Sequence, residues 1–209
     1  MKLLVLVLAV LFMVLLPLPA NSQYDNGRIN GTVDAWTINF GYVVSDSFQA
    51  YDVSAFQIGV WLFPGDTVTA LDWSITSSEF GGTVYGSGTA SGRNVTDTFV
   101  SSNQYGYNID VISVSGMNVP LTGSTYWLNL ANASVSSGDP VYWDENSGAG
   151  CQGNGCPSSA SESAIGTIPS EAFTIGGACC GTTPEPSGFS LFATGILGVA
   201  GVLRRKFSL

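Results

Sequence analysis

The sequence predicts an all-β protein with a single β-sandwich or jelly-roll domain over residues 23–175. Two observations carry this prediction: several stretches alternate apolar and other residues with a period of two, and turn-forming residues recur between them. A third supports it, because no part of this region shows the 3.6-residue apolar stripe of an amphipathic helix. A signal peptide (1–22), a linker (176–183) and a C-terminal tail with a transmembrane helix (184–209) complete the predicted organisation.

Residues 1–22 have the three parts of a secretory signal peptide. Lys2 supplies a positive charge, residues 3–16 form an uninterrupted apolar run, and small residues and prolines follow. The small-x-small pattern places cleavage after Ser22 or after Ala20. A membrane anchor is the alternative, but the run is short for a span of about 20 residues. The pattern therefore predicts export.

The strands are predicted from three alternating stretches of the domain. Aromatic and β-branched residues are frequent in them, as is typical of strands that bury one face. The alternating apolar positions are Phe56, Ile58, Val60 and Leu62, then Leu71, Trp73 and Ile75, then Tyr126, Leu128 and Leu130.

Turns and loops are predicted from clusters of Gly, Pro, Asn, Asp and Ser. A long loop rich in Gly, Ser, Ala and Cys is expected over residues 146–164, before a final strand at about 171–175. The short turn signals lie at residues 64–66, 81–82, 91–94, 116–118 and 137–140.

The charge of the exported part is strongly one-sided. Between residues 23 and 183 there is no lysine, and two basic residues, Arg28 and Arg93, face fourteen acidic ones, which gives a formal net charge of −12. Nucleic acid is therefore excluded as a partner, because phosphate binding requires a basic patch. Such an acidic surface suits a soluble extracellular domain, since self-repulsion opposes association.

The C-terminal tail is predicted to be a membrane segment. Residues 188–203 carry no charge, and Arg204, Arg205 and Lys206 follow directly. As a helix this run spans roughly 24 Å, slightly less than the ~30 Å hydrocarbon core, a difference that bilayer thinning and snorkelling of the cations can cover. The three cations act as a positive-inside anchor. A buried helix of a soluble domain is the alternative, although three terminal cations suit a core poorly.

The order of parts in this tail resembles the PEP-CTERM sorting signal. Pro184, Glu185 and Pro186 precede the apolar run, and the basic triplet ends it. The resemblance covers only the tail and implies an exosortase substrate of a Gram-negative, exopolysaccharide-producing bacterium. It implies that the Pro-Glu-Pro triplet is recognised and processed, that the inner membrane holds an intermediate, and that the product reaches the cell surface or the extracellular matrix. The alternative is that the triplet only stops the helix.

Four cysteines lie late in the chain. In an exported protein an even number favours disulfides, with three pairings possible if all four are used. We expect a bridge between Cys151 and Cys156, and we expect its loss to cost little stability because it closes a small loop outside the strands. Pairing to Cys179 and Cys180 in the linker is the alternative. Zinc is disfavoured, because it would need all four thiolates from two loops.

The complete absence of histidine narrows the possible chemistry. It removes Ser-His-Asp and Cys-His catalysis and the usual histidine-ligated metals. A glycosidase that needs only two carboxylates is the remaining enzyme hypothesis. No acidic pair stands out, and acids such as Asp66 and Asp139 lie in turn signals. We therefore predict a protein without catalytic residues and without a metal or cofactor.

Aromatic residues give the domain its two candidate functions. They could form a glycan-binding platform for the organism's exopolysaccharide, with Asp144 and Glu145 as possible Ca²⁺ ligands. The other hypothesis is a structural surface protein, in which four or five of the tryptophans fill the core. An exposed aromatic row favours binding, and an evenly polar surface favours the structural role. The five tryptophans are Trp36, Trp61, Trp73, Trp127 and Trp143.

Overall fold

The computed structural model describes residues 22–177, which form thirteen β-strands and one short 3₁₀ helix, Gly92–Asn94. Within this described range, no helix is long and apolar enough to cross a membrane. The predicted sorting tail, Cys179, Cys180 and nearly all of the predicted signal peptide lie outside it. The strands are β1 (Ser22–Asp25), β2 (Ala35–Thr37), β3 (Val43–Gln49), β4 (Asp52–Leu62), β5 (Val68–Ser78), β6 (Gly81–Ser91), β7 (Val95–Ser102), β8 (Asn108–Pro120), β9 (Thr125–Val135), β10 (Tyr142–Asp144), β11 (Ala160–Glu162), β12 (Gly166–Ile168) and β13 (Phe173–Gly176).

The strands form two sheets, in which the paired strands are antiparallel. Sheet A has the order β1-β13-β4-β10-β2, with β8 paired to β4 and β7 paired to β8. Sheet B has the order β12-β11-β3-β9-β5-β6. The predicted all-β class is confirmed, and the arrangement is sandwich-like, since one apolar core is built from both sheets.

The core follows the alternation read from the sequence. Phe56, Ile58 and Val60 of β4 point inward from sheet A and are buried. Leu71 of β5 and Leu128 of β9 meet them from sheet B and are also buried. Strand periodicity therefore identified the inward face of these three strands correctly.

Most of the predicted turns connect strands, but one is wrong. Residues 64–66 and 137–140 lie between consecutive strands, residues 91–94 begin at the end of β6 and lead to β7, and residues 81–82 lie at the β5–β6 hairpin. Residues 116–118 instead lie inside β8, where the register opposite Val53 and Ala55 shifts. Gly116 has a φ of 81° there. The glycine thus permits a bulge, a feature whose local sequence resembles that of a turn.

The predicted loop over residues 146–164 is also partly wrong. It ends in strand β11, which pairs with β3 through Ser161 opposite Ser45. The last strand begins two residues later than predicted, because Glu171 makes only an isolated bridge to Glu145. Strand β11 has three residues, which are too few to show an alternating pattern, so the sequence did not predict its pairing with β3.

The predicted Cys151–Cys156 disulfide is present. The bridge lies outside the strands, between β10 and β11, as expected, and both cysteines also pack against the core. Cys151 Sγ lies 3.1 Å from Asn26 Oδ1, and the Gln152 N–H donates to the Asp25 carbonyl at 2.8 Å. The bridge therefore holds its loop against β1 and the segment that follows.

Candidate functional site

The five tryptophans divide between the core and the outer faces. Trp143 is fully buried in the core, and Trp36 and Trp73 pack against it. Trp61 and Trp127 occupy strand positions next to inward residues and so point outward, Trp61 from sheet A and Trp127 from sheet B. Trp61 is nevertheless buried at 6% exposure, so of the five tryptophans Trp127 is the one that is neither buried nor packed against the core.

Trp61 lies in an aromatic pocket on the outer face of sheet A. The pocket has a volume of about 420 Å³ and is lined by Val33, Asp34, Ala35, Trp61, Tyr105, Tyr107 and Tyr142. The strand register places Trp61 of β4 directly opposite Tyr142 of β10. The two other tyrosines come from the loop between β7 and β8. Three separate parts of the chain thus supply the aromatic rings.

The β7–β8 loop presents its tyrosines through a tight turn. The Asn103 side-chain oxygen accepts the backbone N–H groups of Tyr105 and Tyr107, each at 3.0 Å. Gly106 has a φ of 88° and donates to the Asn103 carbonyl at 3.3 Å. This use of asparagine and glycine is typical of tight turns and fixes the positions of both tyrosines on the pocket.

The rings form a layered arrangement. Tyr105 stacks on Trp61 with ring centroids 5.7 Å apart and planes inclined by 20°. Tyr107 makes edge contacts with Phe63 and Tyr142 at centroid distances of 5.0 and 5.7 Å. Tyr105 is 55% exposed, whereas Trp61 is only 6% exposed. Tyr105 is thus the accessible ring, and Trp61 supports it from below.

A buried carboxylate fixes Trp61. The Trp61 indole donates to Asp144 Oδ1 at 2.6 Å, and the backbone N–H groups of Gly31 and Asn30 donate to the two carboxylate oxygens at 2.9 and 2.8 Å. Burial raises the pKa of Asp144, and these three donors oppose the rise. Both oxygens therefore serve structural hydrogen bonds.

The segment between β1 and β2 closes one side of the pocket. It crosses sheet A so closely that a Cβ atom at Gly59 would lie 2.6 Å from Ile29. Gly31 approaches Ile109 in the same way. Beyond this crossing the segment brings Asp34 to the pocket rim. Asp34 Oδ1 accepts the Ala35 N–H at 2.9 Å, and its other oxygen makes no hydrogen bond with the described residues.

A second cavity, the polar groove, lies on the outer face of sheet B. Its volume is about 460 Å³, and its lining includes Asp72, Phe80 and Asn129. The Asp72 carboxylate accepts Asn132 Nδ2 at 2.8 Å and also the Thr89 hydroxyl. Asn129 bonds to Thr76 at 2.8 Å and accepts the Phe80 N–H at 2.9 Å. The polar groups of this groove thus largely satisfy one another.

A set of acidic groups lies in the interior near β3. Asp46 is fully buried and accepts the Glu171 N–H at 2.8 Å, Asn26 at 3.2 Å and Ser170 at 3.3 Å. Burial raises the pKa of Asp46 to about 7. Burial also raises the pKa of Glu171 well above its usual value, and the nearby Asp46 and Glu145 add to this. Among residues 22–177, neither carboxylate oxygen of Glu171 has a hydrogen-bond partner.

Two further carboxylates lie side by side, Asp97 of β7 and Asp110 of β8. Burial raises the pKa of Asp110 to about 7, and a hydrogen bond with Asp97 adds to the rise. This contact is shorter than the separation of about 5 Å or more between the carboxyl groups of glycosidases. The pair lines neither the aromatic pocket nor the polar groove.

The other acids that the sequence singled out occupy supporting positions. Asp66 and Asp139 lie in turns, where their N–H groups bond to Phe63 and Ser137. The Glu145 carboxylate accepts the Trp36 indole at 3.3 Å and the Ser147 hydroxyl at 2.9 Å. Across residues 22–177, no three acidic, cysteine or histidine side chains form a group able to hold a metal ion. Ca²⁺ at Asp144 and Glu145 stays a prediction.

The aromatic pocket was only partly visible in the sequence. The alternation in β4 already placed Trp61 and Phe63 opposite the inward residues, which is the signal that points to an aromatic outer face. The contributions of Tyr105, Tyr142 and Asp34 depend on strand register and on a crossing loop, so no local pattern indicates them.

Comparison of the chain with protein-family models, with curated proteins and with solved structures finds no match. Function is therefore inferred from the site and from the sequence, because a fold alone does not imply a function.

Proposed function

We propose that this chain is an exported, non-catalytic surface protein whose β-sandwich binds a glycan in the aromatic pocket. The observation that carries the proposal is the exposed Tyr105 ring stacked on the buried Trp61 in a cavity of about 420 Å³. Sugar rings present apolar C–H faces, which pack on flat aromatic surfaces. A fixed, solvent-facing ring is the surface that such packing needs.

Rigidity of the pocket supports binding rather than mere core filling. The Asp144 hydrogen bond fixes Trp61, and Asn103 fixes the loop that carries Tyr105. A ring that is already ordered loses little conformational entropy when a ligand stacks on it. No catalytic role is assigned, because neither the Asp97–Asp110 pair nor the buried Asp46 and Glu171 line this pocket.

The destination of the protein is proposed from the sequence. The domain contains a disulfide, which fits an oxidising, extracytoplasmic location. The proposed organisation is a signal peptide, a single β-sandwich and a sorting tail that an exosortase processes at Pro184, Glu185 and Pro186. The proposed partners are this enzyme, the inner membrane during export and an extracellular polysaccharide.

The binding proposal is tested by isothermal titration of the exported protein with polysaccharide purified from the producing cells. Tyr105→Ala is expected to weaken binding about tenfold or more, since stacking contributes on the order of 1 kcal/mol beyond buried area. Phe80→Ala is the matched control, because Phe80 is a similarly exposed aromatic residue at the polar groove. Equal affinities for both variants and the wild type would refute the aromatic pocket as the binding site.

The sorting proposal is tested with the double variant Pro184→Ala, Pro186→Ala. We expect it to be exported and membrane-bound, but to accumulate as the unprocessed species that ends at Leu209. The two prolines keep the backbone extended before the apolar run, and alanines would let a helix continue through it. Mass spectrometry of surface material decides the matter, since wild-type protein there with an intact Leu209 would make the tail a permanent anchor.

A further inference from the structure

We propose that the glycan bound in the aromatic pocket carries free amino groups, so that the ligand is a protonated amino sugar polymer. This inference rests on the proposed glycan-binding function and names the ligand class. It depends on three properties of the pocket: the charge of its lining, the position of Asp34, and the electrostatics of its rings.

The lining of the pocket favours a cation over an anion. Asp34 is its one acidic residue, and the lining contains neither arginine nor lysine. The domain has two basic residues between positions 23 and 183, Arg28 and Arg93, and neither of them lines the pocket. A uronate, sulfate or phosphate group would thus meet a carboxylate without a compensating cation, which is unfavourable.

Asp34 is placed to receive an ammonium group. Its side chain is exposed at the pocket rim, and one carboxylate oxygen is engaged with the Ala35 N–H. The second oxygen has no hydrogen-bond partner among residues 22–177. A charge-assisted hydrogen bond from a protonated amine satisfies this oxygen, whereas an N-acetyl group offers only a neutral donor.

The rings add to the attraction of a cation. Tyr105, Tyr107 and Tyr142 line the same cavity as Asp34, and aromatic faces attract ammonium groups within about 6 Å of the ring centroid. A sugar ring stacked on Tyr105 with its amine directed towards Asp34 uses both features at once. The exposure of Tyr105 and Val33 leaves the pocket open, so an internal residue of a polymer can enter it.

The experiment is isothermal titration of the exported protein with three soluble oligomers: a glucosamine hexamer, an N-acetylglucosamine hexamer and an oligogalacturonate. The pH is kept low enough for the amines to be protonated. We expect the glucosamine hexamer to bind about tenfold more tightly than its acetylated counterpart, as one salt-bridged and ring-contacting ammonium implies, and the galacturonate to bind weakest.

Asp34→Asn is expected to remove most of the preference for the amine. The asparagine keeps an oxygen for the Ala35 N–H, so the loop is expected to stay in place. Asp72→Asn, in the polar groove, is the matched control because it removes the same charge from the domain. An equal loss of affinity in both variants would mean attraction by net charge alone and would overturn the inference.

The outcomes separate this inference from the function on which it rests. If both hexamers bind equally and Asp34→Asn changes nothing, while Tyr105→Ala still weakens binding, glycan binding stands and the amino-sugar inference fails. If no oligomer binds and the purified polysaccharide does not bind either, both fail.

Discussion

The two outer faces of the sandwich carry cavities of nearly equal size that are lined by different side chains. The aromatic pocket on sheet A, about 420 Å³, is lined by four aromatic rings and one rim carboxylate. The polar groove on sheet B, about 460 Å³, is lined mainly by Ser, Thr, Asn and Asp residues. In the groove most polar groups bond to one another and Phe80 is exposed, whereas in the pocket the exposed Tyr105 ring stacks on a buried tryptophan and one Asp34 oxygen has no partner among residues 22–177. The two cavities therefore differ in their side chains and not in their volume.

The difference has a structural cause. Sheet A is crossed by the segment between β1 and β2, which packs on Gly59 and is held by Asp144. The same carboxylate holds Trp61. One buried group thus links the wall of the pocket to its supporting ring, and variants of these residues test the contrast between the two faces.

The largest effect is expected for Trp61→Ala. It removes a nearly buried side chain and leaves the Asp144 carboxylate without its indole donor. We expect the free energy of unfolding to fall by about 3–5 kcal/mol and glycan binding to be lost. Trp127→Ala, on the outer face of sheet B, is the matched comparison and should cost less, since Trp127 is only half-buried. Urea unfolding measures both, and equal losses would contradict the special role of Trp61.

A second prediction concerns pH and the interior between the two faces. The pKa of Asp46 is raised to about 7, so the folded state binds more protons than the unfolded state between about pH 4 and pH 7. The free energy of unfolding is therefore expected to fall as pH rises through this window and to level off above it. Glu171 and Asp110 act in the same direction, because burial raises the pKa of each.

Urea unfolding at pH 5 and pH 8 measures this effect, which we expect to reach a few kcal/mol. Asp46→Asn removes one titrating group with little change in shape and should reduce the slope of the profile, while Glu171 and Asp110 keep the remainder. A wild-type protein that is more stable at pH 8 than at pH 5 would contradict the assignment.

Loss of the disulfide is expected to have an intermediate effect. Its loop is short, and the chain-entropy estimate is about 2 kcal/mol. The contacts of Cys151 with Asn26 and of Gln152 with Asp25 add native interactions, so the cost should not be negligible. The double variant Cys151→Ser, Cys156→Ser is compared with the wild type by thermal unfolding. No change in melting temperature would mean that the loop is uncoupled from β1.

The smallest effect on stability is expected when an exposed aromatic residue on either face is replaced with alanine. Tyr105 and Phe80 are 55% and 42% exposed. Replacing either with alanine should change the free energy of unfolding by no more than about 0.5 kcal/mol. Thermal unfolding of the two variants provides the check. A large loss for Tyr105→Ala would mean that any weaker binding reflects unfolding, and the comparison of the faces would lose its meaning.

Local periodicity explains which parts of the fold could be read from the sequence. The alternation in the eleven residues of β4 predicted its inward face, and the same period of two implies that Trp61 points outward. The three-residue β11 and the bulge at Gly116 left no such signal. The site required still more, since Tyr142 reaches Trp61 only through strand register, and Asp34 only through a crossing segment.

The most direct test of the pocket as the binding site uses the tryptophan indole N–H signals in the NMR spectrum of the purified protein. Each indole signal is assigned by single substitution, and the glucosamine and N-acetylglucosamine hexamers are titrated in separately. The account predicts that the Trp61 signal shifts on binding, because Trp61 lies directly under Tyr105, and that the Trp127 signal on sheet B stays in place. A shift of the Trp127 signal with an unchanged Trp61 signal would contradict it.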